Sequence, residues 1–140
     1  MNWNEANKFI AQLNKKSFCG YSDWRLPNVS ELISLIDYSQ FNPVLPQGHP
    51  FTNVQSDWYW SSTTSAGTTD YAWIVCMYSG FVIYYTKSSY RYVWPVRSGQ
   101  CGGVLGNSTL RFTDNGDGTV TDNKPGLMWT KDANIQLAED

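Results

Sequence analysis

Four ring-rich segments, three of them parted by two-residue turns, restrict this chain most. Asp57–Thr64, Tyr71–Tyr78, Phe81–Lys87 and Tyr90–Arg97 each read as strands, with Ser79-Gly80 and Ser88-Ser89 between the last three. Turns this short join antiparallel neighbours, because a parallel pair needs a crossover of about a dozen residues or more. Twelve of the chain's 22 aromatic residues fall between Trp58 and Trp94. The pattern predicts an antiparallel meander with an unusual load of rings.

Strand parity divides those rings between two faces. Trp73, Val75 and Met77 are predicted to face the core, leaving Ile74, Cys76 and Tyr78 outside. Val82 and Tyr84 then face inward, and Ile83 and Tyr85 outward. An inward Val93 places Tyr90, Tyr92 and Trp94 on the opposite face. Tyr78, Ile83, Tyr85, Tyr90, Tyr92 and Trp94 are therefore the candidate binding residues, and Trp73 is the clearest core ring. Tyr offers large contact area at small entropic cost, and flat rings stack on sugar C–H faces.

Two amphipathic helices precede the strands. Over residues 2–16, Asn2 with Glu5 forms a capping-box pattern, Trp3, Ala6, Ile10 and Leu13 share a face, and Lys15 and Lys16 suit the final turn. Over 28–38, Asn28 caps, Glu31 follows, and Val29, Leu32, Leu35 and Ile36 form the stripe. Pro27 keeps Leu26 extended, so this helix starts no earlier. Residues 39–56 carry Pro43, Pro46, Gly48 and Pro50 and read as a long loop. Helices followed by a meander make an α+β domain, two helices packed on a twisted antiparallel sheet with long loops.

The end of the chain differs in character. Residues 101–109 are Gly-rich and read as a linker between a body, 1–100, and a segment, 110–140. In that segment Asp114-Asn115-Gly116-Asp117-Gly118 is a strong hairpin signal, and Leu127-Met128-Trp129 is a short apolar run. Asp114, Asp117 and Asp122 are a calcium candidate. Their spacing departs from the EF-hand order, and a turn with Asn and Gly at positive φ explains the same letters.

Charge and reactive side chains narrow the function. Net charge is −2, and the six acids of residues 101–140 outnumber its three bases, so no basic face is available for nucleic acid. No apolar run approaches the ~18 residues of a membrane helix, and no leader opens the chain, so membrane insertion is not expected. Cys19, Cys76 and Cys101 form no metal-ligand spacing; one disulfide with a free thiol and three reduced thiols both remain open. His49 stands alone in the Pro-rich loop, with no nucleophile and acid in a recognisable arrangement.

Several motifs in order carry a resemblance. They are Gly20-Tyr21-Ser22-Asp23-Trp24-Arg25-Leu26-Pro27-Asn28, then Glu31-Leu32 and Leu35-Ile36-Asp37, Trp60-Ser61-Ser62-Thr63, Ala72-Trp73-Ile74-Val75, and Val93-Trp94-Pro95-Val96-Arg97-Ser98-Gly99-Gln100. Together they resemble the Lcl C-terminal domain family of bacterial collagen-like adhesins, formerly a domain of unknown function. Trp24-Arg25-Leu26-Pro27 followed by an acid also resembles the formylglycine-generating factors, which implies a C-type lectin-like fold. Those enzymes use a copper-binding cysteine pair in a motif absent here, so the resemblance implies fold and not activity. Trp24, Arg25, Leu26, Pro27 and Glu31, with Trp73, are expected to be architectural.

The resemblance also implies a segment order. Family domains open with stretches like Phe112–Asn123 and Gly126–Asn134, which here come last. This is similar to a window cut out of register from a tandem array, or to a circular permutation. Residues 110–129 are then expected to fold back onto strand 90–97 within the chain; exchange into a second copy, or an unpaired tail, are the alternatives.

The expected function is a non-enzymatic bacterial module, extracellular, at the cell surface or periplasmic, binding glycan or a cell-surface protein. A structural spacer or assembly repeat and a formylglycine-generating-factor-like enzyme are the alternatives. The resembled adhesin binds sulfated glycosaminoglycans. Trp94 stands where that family usually has Arg, and this departure with the negative net charge weakens that ligand here.

Overall fold

The computed structural model describes residues 1–98 and 111–136. Helix α1 spans Trp3–Lys15 and α2 spans Val29–Ser34. Both begin as their sequences predict. The Asn2 side chain accepts from the Glu5 amide at 2.8 Å while Glu5 accepts from the Asn2 amide at 2.9 Å. Asn28 and Glu31 repeat the exchange at 2.8 Å each way. The second helix is shorter than expected because the Asp37 amide leaves to donate to the Val44 carbonyl at 2.7 Å. The Asn42 and Val44 amides in turn donate to the Tyr78 and Met77 carbonyls, at 3.2 and 2.9 Å.

Among the described residues seven strands form two antiparallel sheets. β1 (Trp58–Thr64), β2 (Tyr71–Cys76) and β3 (Val82–Thr86) lie in that order. β4 (Val96–Ser98), β5 (Phe112–Asp114), β6 (Thr119–Asp122) and β7 (Leu127–Thr130) pair in the order β4-β7-β6-β5. The single meander is thus corrected. Residues 90–97 do not line up beside β3. The chain crosses to the other side of β1, where Tyr92 exchanges backbone hydrogen bonds with Trp58 and Trp60. Pro95 has no N–H to extend a ladder, and only at Val96 does a strand of the second sheet begin.

β2 lies between two cores. On one side Tyr59, Val75, Met77 and Trp94 pack with Leu32, Leu35 and Trp129. On the other, Trp60, Ala72 and Ile74 pack with Ala6, Phe9, Ile10 and Leu13 of α1 and with Trp24. Ile74 and Cys76 are buried along with Val75 and Met77, so β2 has no outward face over Ile74–Cys76, while Tyr71 and Trp73 at its start are only partly buried. Parity says which side chains share a face, but both faces of this strand are covered over its second half.

In this chain residues 111–136 lie against the body. β7 pairs with β4 through Val96↔Trp129, Arg97↔Met128 and Ser98↔Leu127. The Trp94 indole donates to the Thr130 carbonyl at 3.0 Å, and the Tyr59 hydroxyl to the Ala133 carbonyl at 2.8 Å. Asp122 is fully buried and held by Arg111 at 3.0 Å. Arg111 also bonds the Ser34 carbonyl at the end of α2.

Gly118, at φ +91°, is the close approach in this docking. A Cβ there would stand 2.8 Å from the Cys19 sulfur. Gly118→Ala is expected to destabilise the fold by roughly 1–2 kcal/mol through positive φ and this contact. Cys19→Ala in the same chain should recover only the contact share. Thermal melts of the parent and the two variants check this, and an unchanged midpoint for Gly118→Ala contradicts it.

Candidate functional site

β3 is the free edge of its sheet, and Ile83, Tyr84 and Tyr85 are all exposed by close to half. Register decides which rings meet. Trp73 stands directly across from Tyr84, and Tyr71 from Thr86, so Tyr71, Trp73 and Tyr84 share one face. Their rings touch edge to face, with centroids 5.1 Å apart for Trp73–Tyr84 and 5.9 Å for Tyr71–Tyr84. This ladder runs beyond the edge of the core, and Trp73 is only half-buried. Trp73 is therefore not the core ring expected, and Tyr84 does not face inward into protein.

Tyr71 carries the ladder into a cleft of about 560 Å³ at the start of α1, lined by Trp3, Asn4, Asp70, Lys87 and Ser88. The backbone ties its walls together: the Trp3 amide donates to the Lys87 carbonyl at 3.0 Å, and the Lys87 amide to Asp70 at 2.8 Å. The Lys87 ammonium lies 4.1 Å from the Trp3 ring centre. A row of rings running into a cleft of amide, hydroxyl and carboxylate groups suits a ligand with apolar faces and polar edges, which is the chemistry of a sugar.

The six candidate residues do not form one face. Ile83 and Tyr85 lie on the reverse of β3, opposite Ile74 and Ala72, and the Arg91 guanidinium covers the Tyr85 ring at 5.0 Å. Tyr90 is 69% exposed. Tyr78 sits at the β2–β3 turn, packed edge to face on Phe41 at 4.7 Å. Tyr92 is half-buried, tilted against Tyr59 at 5.7 Å. Trp94 is fully buried between the sheets and is not a surface residue. The crossover past β1 turns it inward, and an indole there gains both ring contacts and the Thr130 carbonyl.

Two groups of rings escaped the sequence reading. Tyr71 and Tyr84 become surface only because β3 is an edge, which parity does not reveal. Tyr38 is the last residue of the predicted second helix and Phe41 comes from the start of the long loop, where large apolar rings among Ser, Gln and Asn were the available signal. Tyr38, Phe41 and Phe81 are each about two-thirds exposed and gather with Tyr78 around Gly80.

The Trp-Arg-Leu-Pro stretch holds structure together. Trp24 and Leu26 are buried, and Pro27 is buried with them. Trp24 donates its indole N–H to Phe18 at 2.9 Å. Arg25 makes a two-pronged contact with Glu31, 2.7 Å in each arm. Asp23 takes Arg97 at 2.6 Å instead.

The three tail acids face different partners. Asp114 meets Lys131 at 2.7 Å, Asp117 accepts from the Thr119 amide at 3.0 Å, and Asp122 meets Arg111. Among the described residues no group of three or more His, Cys, Asp or Glu gathers as a metal site. Cys19 and Cys76 carry free thiols; Cys101 lies outside the described residues, as does the predicted linker 101–109. Burial, then the charge of Asp117, pushes the Cys19 thiol up. Burial lowers the His49 pKa, and its Nδ1 accepts from the Phe51 amide at 3.2 Å.

The family model for the Lcl C-terminal domain matches residues 1–97. No curated protein and no solved structure matches the chain.

The Arg25–Glu31 pair predicts a pH effect. Burial alone would raise the Glu31 pKa, but the Arg25 fork and the Asn28 amide more than offset it, so the folded value lies below the ordinary one. The pair's stabilisation is then full above the unfolded pKa and is lost as pH falls through the folded value. Glu31→Gln should cost roughly 1 kcal/mol at neutral pH, discounted for the half-exposed Arg, and less below the ordinary carboxylate range. Urea midpoints at pH 7 and pH 3 check this; an equal loss at both contradicts it.

Proposed function

The chain belongs to the Lcl C-terminal domain family, and from that premise we propose that it is a non-enzymatic binding module with a C-type lectin-like fold that recognises glycan along the Tyr71–Tyr84–Trp73 ladder. The ladder itself carries this reading. Three rings held by cross-strand register present a rigid apolar strip, and the adjoining cleft supplies hydroxyl, amide and carboxylate partners for sugar hydroxyls. Neutral or weakly charged glycan fits this strip better than sulfated chains, since Lys87 is the only cation in the cleft lining and its ammonium already rests on Trp3.

The family supports a surface-associated setting, and we place the module outside the cell or in the periplasm on that ground. No helix among the described residues is long and apolar enough to cross a membrane. The reading needs no metal and no reactive thiol. A raised pKa at Cys19 and burial of Cys76 run opposite to the exposed, low-pKa environment of a reactive cysteine.

A second reading has its own observation. Tyr38, Phe41, Tyr78 and Phe81 form an exposed aromatic tip at the far end of the β2–β3 hairpin, and the two phenylalanines offer no polar edge to a sugar. Such a tip suits a protein partner.

A glycan array that includes sulfated chains, run with Tyr84→Ala and Tyr85→Ala, tests the proposal. Loss of one stacking ring predicts roughly three- to tenfold weaker binding for Tyr84→Ala. Tyr85→Ala, on the reverse face, should bind as the parent does. Full binding by Tyr84→Ala overturns the assignment.

A further inference from the structure

We infer that residues 111–136 are an exchangeable closing segment, and that the groove they fill is a strand-addition site for the same segment of a second copy of this chain. The segment is a sheet in its own right. β5, β6 and β7 pair only with each other until the outer edge of β7 meets β4. This is docking by strand addition, with backbone bonds for affinity and a buried side chain for specificity.

The groove belongs to the body. The Thr52 amide donates to the Lys131 carbonyl and the Thr52 carbonyl accepts from the Ala133 amide, both at 2.9 Å. The Pro95 carbonyl accepts from the Thr130 amide at 3.2 Å. The Trp94 indole and the Tyr59 hydroxyl also find their acceptors on the segment. Trp129, wholly buried, fills the pocket against Trp94 with ring centres 5.3 Å apart. Every one of these contacts joins residues before Ser98 to residues after Arg111, so none depends on the two parts sharing a chain.

The ends of the segment make the exchange accessible. Gln136 and Ile135 line one cleft with Met1 and Phe9, so the segment's far end lies beside the start of α1. At the near end, Ser98, Leu127, Asp122 and Phe112 stand in one row across the four strands. Three strand spacings make that row about 14 Å. Thirteen residues, 99–111, lie between Ser98 and Phe112 in the sequence.

This geometry sets a test on the full chain. Deleting residues 100–110 leaves Gly99 and Arg111 between Ser98 and Phe112, and three Cα steps reach only about 11 Å. Closure within one chain with Ser98 and Phe112 both paired is then out of reach, and light scattering should show a doubling of mass with the parent's near-ultraviolet tryptophan signal. A monomer keeping that signal overturns the docking geometry.

If the shortened chain does not fold, the full-length variants Trp94→Ala and Trp129→Ala decide. Refolded together, they should form a mixed pair in which the body of the Trp129→Ala chain receives the segment of the Trp94→Ala chain. That pair gains a melting transition at the parent midpoint that neither variant shows alone. A mixture melting as the average of its components overturns the inference.

Discussion

Trp94 is the contact on which the rest of this fold depends. Its ring meets Phe51 at 4.8 Å, Tyr59 at 5.6 Å and Trp129 at 5.3 Å, while its N–H is taken by Thr130. Those partners come from the long loop, the first sheet and the closing segment. A buried ring of this size brings a large apolar area, and edge-on contacts add further stabilisation. With Trp94 in place the two sheets share one core; the second half of β2 is then enclosed, while the β3 edge and the start of β2 at Tyr71 and Trp73 are left to face solvent.

That enclosure explains which parts of the structure were legible in the sequence. Capping boxes at Asn2/Glu5 and Asn28/Glu31 are local, and they placed both helix starts. The Asp114–Gly118 turn placed the β5–β6 hairpin for the same reason. Strand parity also grouped Trp73 with Tyr84 and Ile74 with Ile83 correctly. It did not say whether a face is covered, because that depends on elements distant in sequence. Ile74 is buried by α1, and Trp94 turned inward because its strand passed behind β1.

The same physics relates the core to the candidate site. Side chains on the enclosed second half of β2 become core, and rings on the edge strand and at the start of β2 become surface. Tyr84 and Trp73 meet because their strands are in register, and Tyr71 joins them to the cleft beside α1. The long loop, drawn along Met77 and Tyr78 by backbone bonds from Val44 and Asn42, delivers a separate aromatic tip. One hairpin thus carries a ladder beside a polar cleft at one end and a ring cluster at the other.

An NMR titration with a soluble oligosaccharide tests recognition along the ladder most directly. Amide shifts should concentrate at residues 70–73 and 84–87, with Trp3 and Trp73 indole signals moving together. Shifts confined to Tyr38, Phe41 and Phe81, or no shifts across a broad panel of sugars, would contradict it.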